Sequence, residues 1–99
     1  MVKLVVLYGT PADPAAFDRH YAEVHTQLVH KIPKLRQFDA GRVLGTPDGS
    51  PAPYFFIAEL LFDSPEDLAA GMQSVEGQAA GADVQTFADG GSTLMIAEA

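Results

Sequence analysis

The sequence contains no cysteine. Disulfides, thiolate zinc sites, iron–sulfur clusters and cysteine nucleophiles are therefore excluded. It also contains no asparagine, hence no N-glycosylation acceptor. Cations are scarce: 6 Lys and Arg stand against 13 Asp and Glu, a net charge of −7. Nucleic-acid binding needs clustered cations to displace counterions, and an anionic membrane surface repels an acidic chain. Neither partner is expected. Long apolar runs are missing too. The longest, Leu4–Tyr8 and Tyr54–Ala58, fall far short of a membrane span. The first of them is too brief for a signal-peptide core, so a cytoplasmic location is the expectation.

With 99 residues and 47% hydrophobic content, the chain reads as one globular domain over residues 1–99. Val2–Gly9 is short, rich in β-branched residues and closed by Gly9-Thr10-Pro11, which predicts a first strand. Asp13-Pro14 is an N-cap followed by proline at the first helical position. Phe17, Tyr21, Val24, Leu28 and Ile32 then form one helical stripe, and Pro33 stops that helix near Lys31. Leu35–Leu44 is a second, more polar strand. A turn-rich connection follows, and Tyr54–Phe62 reads as a central strand. Ser64-Pro65-Glu66-Asp67 repeats the helix-start grammar. Leu68, Met72 and Val75 make one helical stripe. Gly77 interrupts, and Ala80, Val84 and Phe87 make another. Gly90-Gly91 ends it, and Ser92–Ala97 is the last strand. The order β-α-β-β-α-β is the ferredoxin-like α+β arrangement, with the first and third strands in the sheet centre.

One face of such a sheet is covered by the helices. A solvated second face requires alternation of apolar and polar residues. Here the first strand carries Val5 and Leu7 on its second face, and the third carries Phe55, Ile57 and Leu61. No second layer remains in the chain to cover them. A homodimer stacking two sheets face to face is the simplest cover.

Most catalytic signatures are absent: no G-x-G-x-x-G, P-loop, G-x-S-x-G or H-E-x-x-H. Gly77 and Gly81 have a spacing that suits close packing. His20, His25 and His30 sit on the first helix, but steps of five turn about 140° on an α-helix, so they do not converge on a metal. No metal or organic cofactor is expected. Tyr21 and His25 lie one turn apart on one face, Tyr21 within the apolar stripe and His25 at its edge. There His25 is placed to act as a general base or proton donor, with Tyr21 orienting it or bonding a substrate oxygen. A histidine beside an apolar face also serves as a satisfied structural residue, and Tyr21 as core. Tyr8 and Tyr54 join them as candidate substrate contacts. So does Glu59, unusual in an apolar strand, which either pairs with Arg36 or Arg42 or lines a cavity.

Phe17-x-x-x-Tyr21-x-x-x-His25-x-x-Leu28-Val29, then Ile32-Pro33-x-Leu35, resembles the EthD-type family of small proteins. Phe87-Ala88-Asp89-Gly90-Gly91 resembles the family's segment before its last strand. Gln27 departs from the family pattern, which often has proline there. The resemblance implies a ferredoxin-like sandwich forming a dimeric α+β barrel. The family's histidine and tyrosine map onto His25 and Tyr21. Its name comes from association with oxidative ethyl tert-butyl ether degradation. Wider relatives include cofactor-independent monooxygenases, muconolactone isomerase-like proteins and haem-binding barrels. The expected function is cofactor-independent oxygenation, isomerisation or decarboxylation of a small apolar organic ligand, with His25 moving a proton. The alternatives are a non-catalytic binding or accessory protein of an oxidative pathway and, last, a haem barrel with His25 or His20 as axial ligand.

Overall fold

A computed structural model describes residues 1–99. Four strands, β1 (Val2–Tyr8), β2 (Gln37–Arg42), β3 (Phe56–Phe62) and β4 (Ser92–Glu98), form one antiparallel sheet in the order β2-β3-β1-β4. The helices are α1 (Pro14–His20), α2 (Thr26–His30), α3 (Pro65–Gln73) and α4 (Val75–Phe87). A single π-helical turn, Tyr21–His25, joins α1 to α2 without a break. This is the ferredoxin-like α+β fold.

The helix starts follow from local chemistry. The Asp13 carboxylate accepts from the Ala16 amide at 3.1 Å, and Pro14 supplies the first helical residue. Ser64 caps α3 by accepting from the Asp67 amide at 3.1 Å. The break between α3 and α4 falls at Ser74, not at Gly77 as the sequence suggests. Ser74 donates its hydroxyl to the Gly71 carbonyl and accepts from the Gly77 amide at 2.9 Å, so one side chain closes α3 and opens α4. Gly77 is instead a packing residue. A Cβ there would overlap the Gly71 carbonyl oxygen and the Met72 backbone. Gly77→Ala is therefore expected to cost about 1–3 kcal/mol by overpacking. A melting curve indistinguishable from wild type would contradict that close approach.

The core lies between the helices and one sheet face. Leu4, Val6 and Tyr8 of β1 and Phe56, Ala58, Leu60 and Phe62 of β3 are buried there. The opposite face is open. Register places Val5 and Leu7 of β1, Ile57 and Leu61 of β3 and Met95 of β4 on it together. Met95 is exposed and the other four are only half-buried. Phe55 does not belong to that face. β3 begins at Phe56, and Phe55 packs its ring edge-on against Phe17 of α1, 5.2 Å between centroids, under the Arg42 guanidinium. β2 is likewise shorter than the hydropathy pattern indicates, Gln37–Arg42 rather than Leu35–Leu44.

Candidate active site

His25 enters the core because of the π turn. An unbroken α-helical stripe would bury Val24, but Val24 is 41% exposed and His25 is 4% exposed. The buried positions are Phe17, Tyr21, His25 and Val29, a constant step of four. A π turn holds more residues than an α turn, so it rotates the following residues and keeps that step on one face. The Thr26 amide accordingly donates to the Tyr21 carbonyl, and the Thr26 hydroxyl does so as well at 2.8 Å.

The same turn changes the geometry of the histidines. Five residues span about one turn of a π-helix, so His20 and His25 come to lie on one side. Both reach Asp83 of α4. His25 Nδ1 stands 2.9 Å from Asp83 Oδ2, and His20 Nε2 stands 2.8 and 3.0 Å from Oδ1 and Oδ2. The Thr86 hydroxyl approaches Oδ1 at 3.3 Å. The Phe87 ring covers the pair, 4.9 Å from the His20 ring and 5.0 Å from the His25 ring. Thus the divergence expected of an α-helix is corrected: His20 and His25 do converge, on a carboxylate. Asp83 was absent from the candidates read from sequence. Its signal was its position on the stripe of Ala80, Val84 and Phe87, where a carboxylate needs a partner.

Burial, the largest influence, lowers the His25 pKa below the ordinary histidine value; the Asp83 hydrogen bond and charge pull upward and the His20 charge downward. The ring is therefore neutral near pH 7, with Nδ1–H donating to Asp83. Desolvation pushes the Asp83 carboxyl up. Hydrogen bonds and charge from His20 and then His25 outweigh it, and the group titrates below the usual carboxylate range. A histidine depressed on folding stabilises the protein above its unfolded value of about 6.5 and loses that contribution as pH falls toward its folded value. The melting temperature is thus expected to fall on acidification from pH 7 to pH 5, and less steeply in His25→Gln. Equal slopes would contradict the burial of a neutral ring.

His25 lines an interior cavity of about 100 Å³ between the helices and the sheet, together with Tyr8, Tyr21, Ala58, Leu60 and Val84. Tyr8 and Tyr21 pack edge-to-face, 5.9 Å between ring centroids, and the Tyr21 ring lies 4.9 Å from that of His25. The Tyr21 hydroxyl is buried with no hydrogen-bond partner. Burial first, and then the neighbouring Tyr8 phenol, push the Tyr21 pKa far up. Burial raises Tyr8 to about 12, with the Tyr21 hydroxyl opposing and the Asp83 charge adding. Both remain O–H donors at neutral pH. A larger groove of about 450 Å³ lies outside, open to solvent, and meets this constellation through His20 and Phe87. That cavity, not the groove, is lined by Tyr8, Tyr21 and His25 together.

The structure brings Tyr8, Tyr21 and His25 together and leaves two candidates elsewhere. Glu59 projects from the open sheet face, opposite the cavity, and pairs with Lys3 at 2.7 Å rather than with an arginine. Arg36 pairs with Asp63 at 3.5 Å, and Arg42 with Asp18. Tyr54 precedes β3 and does not line the cavity. His30 ends α2 and meets the Phe38 ring edge-on at 5.5 Å. No helix is long and apolar enough to cross a membrane.

The chain is 41% identical over 98 residues to an uncharacterized 11.0 kDa protein of Rhodococcus erythropolis from the thcB-thcC intergenic region, covering 99% of this chain and 94% of that one. It is also 41% identical to an ethyl tert-butyl ether degradation (EthD) family protein of Bacillus halodurans, covering 100% of this chain and 98% of that one at a TM-score of 0.93. SnoaB, a cofactor-independent oxygenase of Streptomyces nogalater, shares the fold at 12% identity and a TM-score of 0.70, over 99% of this chain and 91% of that one. Several other proteins of this fold are described as dimeric and ferredoxin-like. The EthD domain model matches residues 10–91, and the chain belongs to the EthD family.

Proposed function

We propose that the protein is a homodimeric enzyme that moves a proton on a small, mostly apolar organic molecule. The reaction is a cofactor-independent oxygenation, isomerisation or decarboxylation, and His25 is the proton-transfer group. The observation that carries this reading is the His25 ring. It is buried beside a cavity, with Nδ1 held by an ionised carboxylate at 2.9 Å. That bond fixes the tautomer and leaves the Nε2 lone pair to accept a proton. As the ligand's C–H bond breaks, the proton passes to Nε2. The electron pair moves onto the adjoining carbonyl oxygen, where the Tyr8 and Tyr21 hydroxyls donate. Asp83 stabilises the imidazolium, which becomes the base again when Nε2 gives its proton to the product. An oxygenation would take dioxygen as its co-substrate at the carbanion.

A haem role does not fit this chain. The cavity that His25 lines, about 100 Å³, is too small for a porphyrin, and His20 commits its Nε2 to Asp83.

The test uses 2-tetralone, an uncharged ketone with acidic α-protons. In deuterium oxide the wild-type protein is expected to accelerate loss of its α-proton NMR signals above the buffer rate. Saturable binding of 2-tetralone with exchange at the buffer rate would replace this reading with that of a non-catalytic binding protein.

A further inference from the structure

The cavity that holds His25 has three features that define the molecule it admits. First, Tyr21 lines it, 4% exposed as a residue, and the polar neighbour of its buried hydroxyl is the Tyr8 phenol. Two neighbouring phenols that share at most one hydrogen bond leave one O–H without an acceptor, and a ligand oxygen at that point supplies it. Second, no Lys or Arg lines the cavity. The nearest ionised group is the Asp83 carboxylate behind His25. An anion entering would shed its water against a like charge. The same carboxylate already disfavours a phenolate at Tyr8.

Third, the space is shaped as a head pocket with a greasy exit. At about 100 Å³ it holds less than the roughly 150 Å³ that a whole benzene ring takes, so a ring that puts its oxygen here has its far edge in the open exit. Its lining reaches the outside between α4 and β4. There Gly81 has nothing within 4 Å of a built Cβ, and Leu94 is 54% exposed. Ile96, next on the same face of β4, is 65% exposed.

We infer that the cavity binds an elongated, uncharged molecule headed by a phenol or ketone. Its oxygen meets the Tyr21 and Tyr8 hydroxyls, and its apolar tail leaves between α4 and β4 across Leu94. This deepens the reading above and shares its site, leaving oxygenation or isomerisation rather than decarboxylation of an anion, but it concerns recognition and requires no turnover.

Calorimetry on the full chain with 4-alkylphenols, ethyl to hexyl, and with the matching 4-alkylbenzoates tests it. The phenols are expected to bind with affinity rising about twofold or more per methylene, the gain from burying part of each CH₂. The benzoates are expected to bind at least about tenfold more weakly, since they bring an unpaired charge. Tyr21→Phe is expected to weaken the phenols several-fold, because it removes one of the two hydroxyls that meet the ligand oxygen. Gly81→Leu is expected to fold and to lose binding, since a side chain at that open helix position fills the exit. Benzoates binding as well as phenols would overturn the inference. So would affinity independent of chain length, or phenol binding untouched by Tyr21→Phe. If phenols bind as described and 2-tetralone exchange is not accelerated, the proton-transfer reading fails and this one stands.

Discussion

His25→Ala is expected to lower protein-catalysed α-proton exchange of 2-tetralone by about 10²- to 10⁴-fold, the usual contribution of one positioned acid–base group. The size of the loss follows from how the ring is held. Its Nδ1–H is committed to Asp83 at 2.9 Å, so the Nε2 lone pair is presented without a search over tautomers. Burial lowers the imidazole pKa, which keeps the ring in its basic form at pH 7. Asp83→Asn keeps the size of the side chain and removes the charge that stabilises the imidazolium. It is expected to lose a substantial part of the same factor while 2-tetralone still binds. Steady-state exchange monitored by NMR, with binding measured separately, divides these effects. Exchange in His25→Ala equal to wild type would remove His25 from the chemistry.

Ile57→Glu is expected to convert a stable dimer into monomers. Ile57 sits on the open face between Leu7 of β1 and Gly41 of β2, diagonal to Val5 and on the same face as Leu61. Full burial of a Val, Leu or Ile is worth roughly 1.5–3 kcal/mol, and each of these half-buried apolar side chains forgoes part of that if it stays in water. Two copies stacking these faces recover that term, and a glutamate brought in from each copy would bury two unpaired like charges. Because Ile57 is only half-buried within one chain, the substitution leaves the helix-covered core intact. Sedimentation at micromolar concentration is expected to give twice the 10.5 kDa chain mass for wild type and the single mass for the variant. A well-behaved wild-type monomer under those conditions would contradict the homodimer.

The sheet was legible in the sequence because its two greasiest runs had to occupy the centre, and β1 and β3 do. The caps at Asp13 and Ser64 were legible for the same kind of reason: each pairs an accepting side chain with a following proline. The π turn was not legible. Tyr21-Ala22-Glu23-Val24-His25 satisfies an α-helical pattern equally well, and only the packed structure decides which carbonyl the Thr26 amide meets. That one choice moved His25 inward and Val24 outward. It also brought His20 round to Asp83, which no α-helical spacing indicates. Asp83 itself carried a readable sign, a carboxylate on an apolar stripe, but its partners lay 58 and 63 residues away. Glu59 is unusual in an apolar strand because that strand has a second face, where Lys3 of the neighbouring strand answers it. Tyr54 and Phe55 extend the aromatic run without extending the strand, since Phe55 turns back onto Phe17.

The central claim is that His25 presents a bare Nε2 to the cavity because Asp83 holds its other nitrogen. Nitrogen-15 NMR of the imidazole at pH 7 reads this directly. The expected spectrum is a neutral ring protonated on Nδ1, changing tautomer or charge in Asp83→Asn. A ring protonated on Nε2, or a cation, would contradict it.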